Sequence, residues 1–438
     1  MTETRTVHLT MDLCLRVGEL LLSSGAGAAD VTATMQSVAH SLGLRNPVID
    51  VTFTALSMGY HADPEQPPLT LLRSVVHREI DYEDLTRVDH LVSQVLLGEV
   101  DVVAARATIA RISSSGHRRK RWAVTVGWGV MCVGVALILG GGATVCAIAF
   151  AAAVAIDRLQ AFMSRRRLPS FYQQVAGGGL ATLLGVLAAW AGLAVNPSLV
   201  VTANIVMLLS GVGFMGALQD CLSGFYVTGS ARVMEALLST AGLIAGVSGG
   251  LAVADVVNVD VGRISPGEGT WQALTGIAIG SAITAGAFAF SSYAPKRTVA
   301  PIGLVAAIAI VIDNQIVAGG FGRTWAAAVA AFFVGLVAWS LSRRVKVPPL
   351  VVVVSAVVPL LPGLLIYRGL ALLSEEAGDP AAGILALATA ASVALALAAG
   401  VILGEYVAQP LSREARKLEG RLSGPRLVGP LRAKFRRA

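Results

Sequence analysis

The chain has 438 residues, of which 55% are hydrophobic and only 14% are charged, and its mean hydropathy is +0.71. A soluble globular protein carries about 25% charged residues, so this composition excludes a disordered chain, a disulfide scaffold and an ordinary soluble enzyme. The net charge of +7 is unevenly divided, because residues 1–111 hold 8 Lys/Arg and 14 Asp/Glu whereas the remainder holds 26 and 13. The basic excess therefore lies in the hydrophobic part, which favours a lipid bilayer over nucleic acid as the partner.

The first 115 residues are predicted to form a soluble α+β domain. One helix carries apolar residues at helical spacing up to Ser23-Ser24-Gly25, and a second begins at Asp30, a suitable N-cap. One long strand is expected at 48–60 and another at 69–76, followed by helices at 84–97 and 101–112. The segment Gly25-Ala26-Gly27 is too short for a phosphate-binding loop and is interpreted as a helix-ending turn.

Catalytic and metal-binding patterns are absent from the sequence. The four cysteines form no CxxC pair, and all six histidines precede residue 118. Neither a Ser–His pair nor an HExxH motif is therefore available in the hydrophobic part. The sequence thus predicts no enzyme, no metal and no cofactor.

Ten membrane spans are predicted, at about 122–139, 142–156, 172–193, 198–217, 233–254, 272–290, 299–318, 324–341, 349–367 and 380–404. With the N-terminus inside, the loops on the inner side and the tail hold 23 Lys/Arg and the outer loops hold 3. This bias predicts a multi-pass protein of the inner (plasma) membrane with both termini in the cytoplasm. Residues 411–438 are expected to form a basic cytoplasmic tail.

The spans fall into two sets of five, 116–258 and 259–410, that match when shifted by about 152 residues. Because each set has an odd number of spans, the second set must be inverted relative to the first. Inverted repeats are a common construction of secondary transporters, whose substrate site lies near the midplane between the repeats.

Two spans carry helix-breaking residues at corresponding positions. The fourth contains Ser210, Gly211 and Gly213, and the ninth contains Pro359, Pro362 and Gly363. Interrupted helices free backbone groups that can bind a solute. These six residues, with Asn204 and Arg232, are the candidate substrate-binding residues: Asn204, Ser210, Gly211, Gly213, Arg232, Pro359, Pro362 and Gly363. Close helix packing on glycine with a simple proline kink is the alternative interpretation.

Ionisable residues inside a membrane are expensive and indicate function by default. Asp220, after the glycine-rich stretch, and Glu235, one turn into the fifth span, are the candidate proton carriers. Asp157, Asp313 and Arg368 lie near the expected membrane interfaces, where extension of the charged group towards water is the simpler explanation.

The layout resembles the threonine/serine exporter (ThrE-like) family over nearly the whole chain. The matching segments are Gly18–Ala26, Arg73 and Asp81–Leu85 in the first domain, and Asp220, Gly224, Gly229, Arg232, Glu235 and Pro362-Gly363 in the membrane. Ser210 and Gln219 depart from the proline and arginine that the family pattern has there. The resemblance implies export of amino acids or small dicarboxylates driven by the proton motive force.

The predicted protein is therefore a secondary active exporter of small hydrophilic metabolites, such as threonine/serine-type amino acids or small carboxylates. Its expected partners are the small-molecule substrate, protons and the lipid bilayer, with a homo-oligomer left open and no nucleic acid. The alternative is a regulatory or sensory membrane protein whose soluble domain binds a ligand.

Overall fold

A computed structural model describes residues 3–61, 67–75, 78–193, 195–209, 211–257, 271–374 and 379–408. The chain divides into two compact units. The first consists of residues 1–116, 219–229 and 406–438, and the second of 117–218 and 230–405. The predicted basic tail, 411–438, and Ser210 lie outside the described residues.

The N-terminal region of the first unit is an α+β fold of four helices and one sheet. Its elements are α1 (Glu3–Ser23), α2 (Ala28–Ser41), β1 (Val48–Val51), β2 (Ala55–Tyr60), β3 (Leu69–Ser74), α3 (Tyr82–Leu96) and α4 (Val102–Ser114). The last two helices begin after Asp81 and Asp101, whose carboxylates accept hydrogen bonds from backbone N–H groups of the first turn. The turn after α1 has Gly25 at φ 101°, so the interpretation of this glycine pair as a helix-ending turn is confirmed.

Two sequence predictions in this region are wrong. The single strand expected at 48–60 is two antiparallel strands, with Val48 opposite Gly59 in β1–β2, and Ala55 of β2 opposite Ser74 of β3. The chain reverses because Thr52 donates from both its backbone N and its hydroxyl to the carbonyl of Ala55. Helix α2 begins at Ala28 after Gly27, so Asp30 lies in its first turn instead of at the N-cap.

An ion-pair network holds helices α1 and α4 to strand β3. Asp12 binds Arg16 at 3.0 Å, Arg73 at 3.4 Å and Arg106 at 2.6 Å, and Arg73 also pairs with Glu19. Burial raises the pKa of Asp12, but the hydrogen bonds and charges of Arg106 and Arg16 outweigh burial and leave this pKa below its ordinary value. The network thus stabilises the domain through an ionised Asp12.

The second unit is helical. The first set of helices is α5 (Arg121–Ile138), α6 (Ala143–Arg165), α7 (Ser170–Trp190), α8 (Pro197–Leu208), α9 (Gly211–Leu222) and α10 (Tyr226–Val256). The second set is α11 (Trp271–Ser291), α12 (Lys296–Ala318), α13 (Arg323–Val345), α14 (Pro349–Val357) with a 3-10 turn at Val358–Leu360, α15 (Gly363–Ser374) and α16 (Pro380–Ala408). In both sets the fourth predicted span is divided into two helices.

Eight helical segments in the described residues are long and apolar enough to cross a bilayer, counting 197–222 as one, and the bent pair of α14 and α15 makes a ninth. Helix α7, the predicted third span, has 21 residues but falls outside this set, since Gln173 and Gln174 lower its hydropathy. Large apolar side chains such as Trp122, Trp190 and Leu385 are exposed on these helices. The protein is therefore a polytopic helical membrane protein, and the count of ten spans stays a prediction.

Glycine brings the backbones of several helix pairs into direct contact. A Cβ atom on Gly134 of α5 would lie 2.7 Å from the carbonyl oxygen of Gly280 of α11, and a Cβ on Gly280 would lie 2.6 Å from that of Gly134. Helices α7 and α10 pack in the same way, with Gly246 against the carbonyl of Val175. Close backbone approach of this kind is how membrane helices gain van der Waals contact where the hydrophobic effect is weak.

The pair α13–α16 repeats the packing of α7–α10. Gly400 lies against the carbonyl of Ala328, 72 residues earlier, and Gly246 lies against Val175, 71 residues earlier. In each pair the contact partners advance together along the chain, so both pairs are parallel. The two sets of helices therefore share a packing contact as well as an element order.

Candidate functional site

The residue after α8 and the residue after the 3-10 turn that follows α14 have the same backbone conformation. Leu209 follows α8 with φ −69° and ψ 134°, and Leu361 follows the 3-10 turn after α14 with φ −64° and ψ 137°. Both residues are extended, and a new helix begins two residues later at Gly211 and at Gly363. Leu361 and Gly363 follow Leu209 and Gly211 by the same 152 residues. Both predicted helix breaks are thus present, and the second bends the chain by 47°.

The two breaks contact each other reciprocally. A Cβ atom on Gly211 would lie 3.2 Å from the Cβ of Leu361, and one on Gly363 would lie 3.0 Å from a methyl group of Leu209. Each glycine therefore receives the leucine of the other break. A larger residue at either glycine would have to displace that leucine, so the two interrupted spans are in direct contact at this crossing.

A cavity of about 520 Å³ in the second unit opens beside this crossing. Both breaks contribute to its wall through Leu209, Gly211, Leu361, Pro362 and Gly363. Most of the remaining wall is apolar, with Trp128, Met131 and Phe288 among the larger side chains. This volume is within the range of about 300–1,000 Å³ that is typical of small-molecule sites, and one small metabolite would not fill it.

The cavity also has a small number of polar side chains. Asp313 and Asn314 come from the last turns of α12, Arg323 from the first residue of α13, and Arg368 from α15. Thr284 of α11 adds a hydroxyl group, which donates to the carbonyl of Gly280 at 2.8 Å. An apolar cavity with a few convergent polar groups is typical of a binding site for a small polar solute.

Half of the predicted substrate-binding residues line this cavity. The wall includes Gly211, Pro359, Pro362 and Gly363, so residues of both breaks line one cavity. Their contact with a substrate stays a prediction. The N–H groups of the first turns of α9 and α15 begin at this wall, where helix N-termini favour an anionic group.

Three other predicted residues lie away from the described wall. Asn204 is fully buried in α8, where its Nδ2 donates to the carbonyl of Val200 at 2.9 Å and its Oδ1 has no partner among the described residues. Gly213 is half-buried on α9. Arg232 of α10 lies against Gly216, at which a Cβ would be 2.6 Å from the guanidinium. Substrate contact by these residues stays a prediction.

The structure gives Asp220 a specific contact within the first unit. Its side chain is 2% exposed, and its Oδ1 accepts a 2.9 Å hydrogen bond from the backbone N–H of Ala28, the first residue of α2. Thr228 makes a second contact of this segment with the sheet, donating to the carbonyl of Val51 at 3.2 Å. Gly27, the N-cap residue of α2, has no side chain for this role, so Asp220 supplies the capping oxygen from a position 192 residues further along the chain.

The other predicted carboxylates are also distant from the described cavity wall. Glu235 is exposed on α10. Asp157 of α6 is buried and accepts hydrogen bonds from Arg121 and from the hydroxyl of Thr125, both at 2.7 Å. Asp157 is thus a buried carboxylate paired with the exposed Arg121, and this ion pair joins α6 to α5.

Sequence reasoning missed the polar side chains of the cavity. Asp313 and Arg368 were assigned to the membrane interface because each is near the end of a predicted span. One signal was available, since Arg368 follows the helix break at Gly363 by five residues and so lies on the first turns of the new helix. No such signal marked Asp313 or Arg323, which meet the cavity only through the fold.

Comparison with protein families gives two matches that together cover most of the chain. Residues 12–254 match the model described as "Putative threonine/serine exporter", and residues 277–407 match the one described as "Threonine/Serine exporter, ThrE". No solved structure matches the chain.

Similar proteins are known from several bacteria. A probable threonine/serine exporter of Mycobacterium tuberculosis is 36% identical over 426 residues, which is 95% of this chain and 80% of the relative. A threonine/serine exporter of Corynebacterium glutamicum is 33% identical over 423 residues, 95% of this chain and 86% of that one. A probable succinate transporter subunit of Escherichia coli is 25% identical over 237 residues, 54% of this chain and 91% of the subunit. The chain belongs to the threonine/serine exporter family, as a single polypeptide that carries both family domains.

Proposed function

We propose that this protein is a secondary active exporter of threonine/serine-type amino acids or small carboxylates. The observation that carries the proposal is the cavity of about 520 Å³ whose wall contains both interrupted spans. Interrupted helices, a cavity where they meet and an amphipathic lining are the features that a transporter needs to hold a polar solute inside a membrane.

The substrate is held between the two breaks. In α15 the N–H groups of Leu365 and Ile366 donate to the carbonyl of Pro362, which leaves those of Gly363 and Leu364 at the helix start for a carboxylate that enters the cavity. The start of α9 at Gly211 offers its first N–H groups to the same ligand. Gly211 and Gly363 let the two breaks pack closely through Leu361 and Leu209, which holds both helix starts at the cavity wall. The apolar wall around Trp128 and Phe288 excludes water and strengthens these polar contacts.

Transport proceeds by alternating access between two inverted five-helix repeats. The reciprocal contacts of Gly211 with Leu361 and of Gly363 with Leu209 support such repeats, since a two-fold axis would generate one contact from the other. The matched glycine contacts in α7–α10 and α13–α16 support the same arrangement. One repeat moves against the other and exposes the cavity to each side in turn.

The proton motive force drives export, and both termini lie in the cytoplasm of a cell whose plasma membrane holds the protein. The orientation is supported by the 23 Lys/Arg of the inner segments against 3 in the outer loops. A carboxylate must carry the proton, because no histidine follows residue 117. Asp220 and Glu235 remain the sequence-based candidates for that role.

The full-length protein, purified and reconstituted into proteoliposomes, tests the proposal. Vesicles loaded with radiolabelled threonine, serine or succinate are diluted into buffers that set a pH gradient of either sign, and efflux is compared with protein-free vesicles. We expect efflux of an amino acid that depends on the direction of the gradient. Absence of protein-dependent efflux for every solute would refute the proposal.

The sensory alternative predicts a different result in cells. A strain that lacks the gene is complemented with the full chain or with a variant that lacks residues 1–115. An exporter releases threonine or serine at a rate that follows the amount of the full chain in the membrane. A sensor would change the expression of other transporters, and purified protein would then show no efflux.

A further inference from the structure

The cavity wall carries three charged side chains, Asp313, Arg323 and Arg368. Helix α12 ends at Ala318 and α13 begins at Arg323, so the short turn between them brings Asp313, Asn314 and Arg323 to the same end of the helix pair. Asp313 and Arg323 carry opposite charges and lie on either side of this turn. Arg368, on α15, supplies a second guanidinium to the same wall.

These side chains are available to a ligand. Within the described residues Arg368 makes no hydrogen bond or ion pair, and its side chain is exposed. The amide of Asn314 donates from Nδ2 to the carbonyl of Ile310 at 2.9 Å, which fixes the amide and leaves Oδ1 as an acceptor. Asp313 is half-buried and lines the same cavity. The cavity therefore offers two cations and one anion to whatever it binds.

An α-amino acid has the complementary charges. Its carboxylate matches a guanidinium, which can donate two parallel hydrogen bonds, and its ammonium group matches a carboxylate acceptor. Loss of water from an unpaired charge is expensive in an apolar cavity, so a site with both signs selects a ligand with both signs. A dicarboxylate would place its second carboxylate against Asp313, and an amine without a carboxylate would leave both guanidinium groups unpaired.

We propose that Asp313, Arg323 and Arg368 form the site that recognises the zwitterionic head of the substrate. Asp313 binds the ammonium group, and the two arginines bind the carboxylate. This inference rests on the proposed function and adds to it the residues that select amino acids over carboxylates. The hydroxyl group of threonine or serine then lies towards Asn314, whose free oxygen accepts from it.

Binding of radiolabelled threonine to the purified full-length protein tests the site, with three competitors that each alter one charge. 3-Hydroxybutyrate is threonine without its ammonium group, threoninol is threonine without its carboxylate, and succinate has a second carboxylate. The wild-type protein should bind threonine at least about tenfold more tightly than any of them, since each lacks one charge-assisted contact.

Single variants should separate the two parts of the site. Asp313→Asn should weaken threonine binding about tenfold or more, while 3-hydroxybutyrate and succinate bind as well as before or better. Arg323→Gln and Arg368→Gln should weaken threonine and leave threoninol unchanged or improved. Asp313→Glu and Arg368→Lys keep the charges and should recover part of the lost threonine affinity.

Matched controls separate recognition from folding. Gln315→Ala changes an exposed polar residue on the same turn as Asp313, and Arg344→Gln removes a charge from the other end of α13. Both controls should bind threonine like the wild type, and all variants should elute as one peak in size-exclusion chromatography. If Asp313→Asn keeps threonine affinity within twofold, or if every variant weakens all four ligands equally, the inference is wrong although the exporter function stands. If the wild-type protein neither binds nor exports threonine, the proposed function fails as well.

Discussion

The hydrogen bond from Ala28 to Asp220 predicts that this aspartate stabilises helix α2 and need not carry a proton. Ala28 is fully buried, so removal of the acceptor leaves its N–H group without a partner or water. Loss of an N-cap costs about 0.5–2 kcal/mol, and a buried unsatisfied donor costs about 1–3 kcal/mol. We therefore expect Asp220→Ala to destabilise the start of α2 by about 1–3 kcal/mol.

Asp220→Asn is the informative partner of this variant. Asparagine caps helices nearly as well as aspartate, so this variant keeps the acceptor and loses only the interaction of the charge with the helix dipole, about 0.3–1 kcal/mol. Hydrogen exchange followed by mass spectrometry measures the effect in the segment that begins at Ala28. The rate should rise about 5-fold to 150-fold in Asp220→Ala and by much less in Asp220→Asn.

Efflux at several pH gradients shows whether the carboxylate also couples protons. A proton carrier fails equally in both variants, because neither asparagine nor alanine titrates. A structural cap fails only in Asp220→Ala. If Asp220→Asn abolishes gradient-driven efflux while exchange in α2 stays slow, the reasoning from the Ala28 contact is refuted and Asp220 is the coupling group.

Other variants test the packing and the N-terminal domain. Gly246→Ala should lower thermal stability and efflux, because its Cβ would lie 2.0 Å from the carbonyl oxygen of Val175. The control Gly249→Ala, on the same helix, meets nothing within 4 Å and should be neutral or stabilising by up to about 1 kcal/mol. The pKa of Asp12 is lowered in the folded state, so the ionised carboxylate stabilises the fold at neutral pH, and this stabilisation is lost as pH falls through that pKa. Asp12→Asn should therefore lower the melting temperature at pH 7 and have less effect below pH 4. Burial raises the pKa of Asp89 to about 6, from an ordinary value of 3.8. The folded protein therefore loses stability as pH rises from about 4 to 6 and this carboxyl group ionises, so Asp89→Asn should raise the melting temperature at pH 8.

The same melting curves contain the outcomes that would contradict these expectations. Equal melting temperatures for Gly246→Ala and Gly249→Ala would contradict the close contact of α7 and α10. A shift for Asp12→Asn that does not depend on pH would remove ionisation as the source of its effect. Destabilisation by Asp89→Asn at pH 8 would mean that the ionised carboxylate has a favourable partner in the folded protein.

Much of the membrane part could be predicted from sequence because hydrophobicity and helix-breaking residues act locally. A run of about 20 apolar residues specifies a helix wherever it lies, and Pro362 cannot donate the N–H that an uninterrupted helix needs. Gly211 and Gly363 were recognised for the same local reason. Their contact with each other's leucine was not visible, since it depends on how two distant segments cross.

The predictions that failed or were missed concern long-range contacts. The sequence predicts Asp30 as the N-cap of α2 because it is the nearest capping residue along the chain. The capping oxygen comes from Asp220 instead, which is distant in sequence. Asp313 and Arg323 are separated by a helix end and gain their common position only when α12 and α13 fold back on each other. Residue type and spacing predict which residues are neighbours along one helix. These residues are neighbours only because different helices pack together.

The reciprocal contacts between the two helix breaks, in which each glycine packs against the leucine of the other break, have an energetic consequence for export. If the two halves exchange roles during a cycle, a two-fold rotation approximately relates the inward-open form to the outward-open form, and the contacts at Gly211 and Gly363 favour neither form. The direction of net flow is then decided by the chemical gradients on the two sides. Asymmetry must come from features that only one half has, and the bond that ties Asp220 to Ala28 is such a feature.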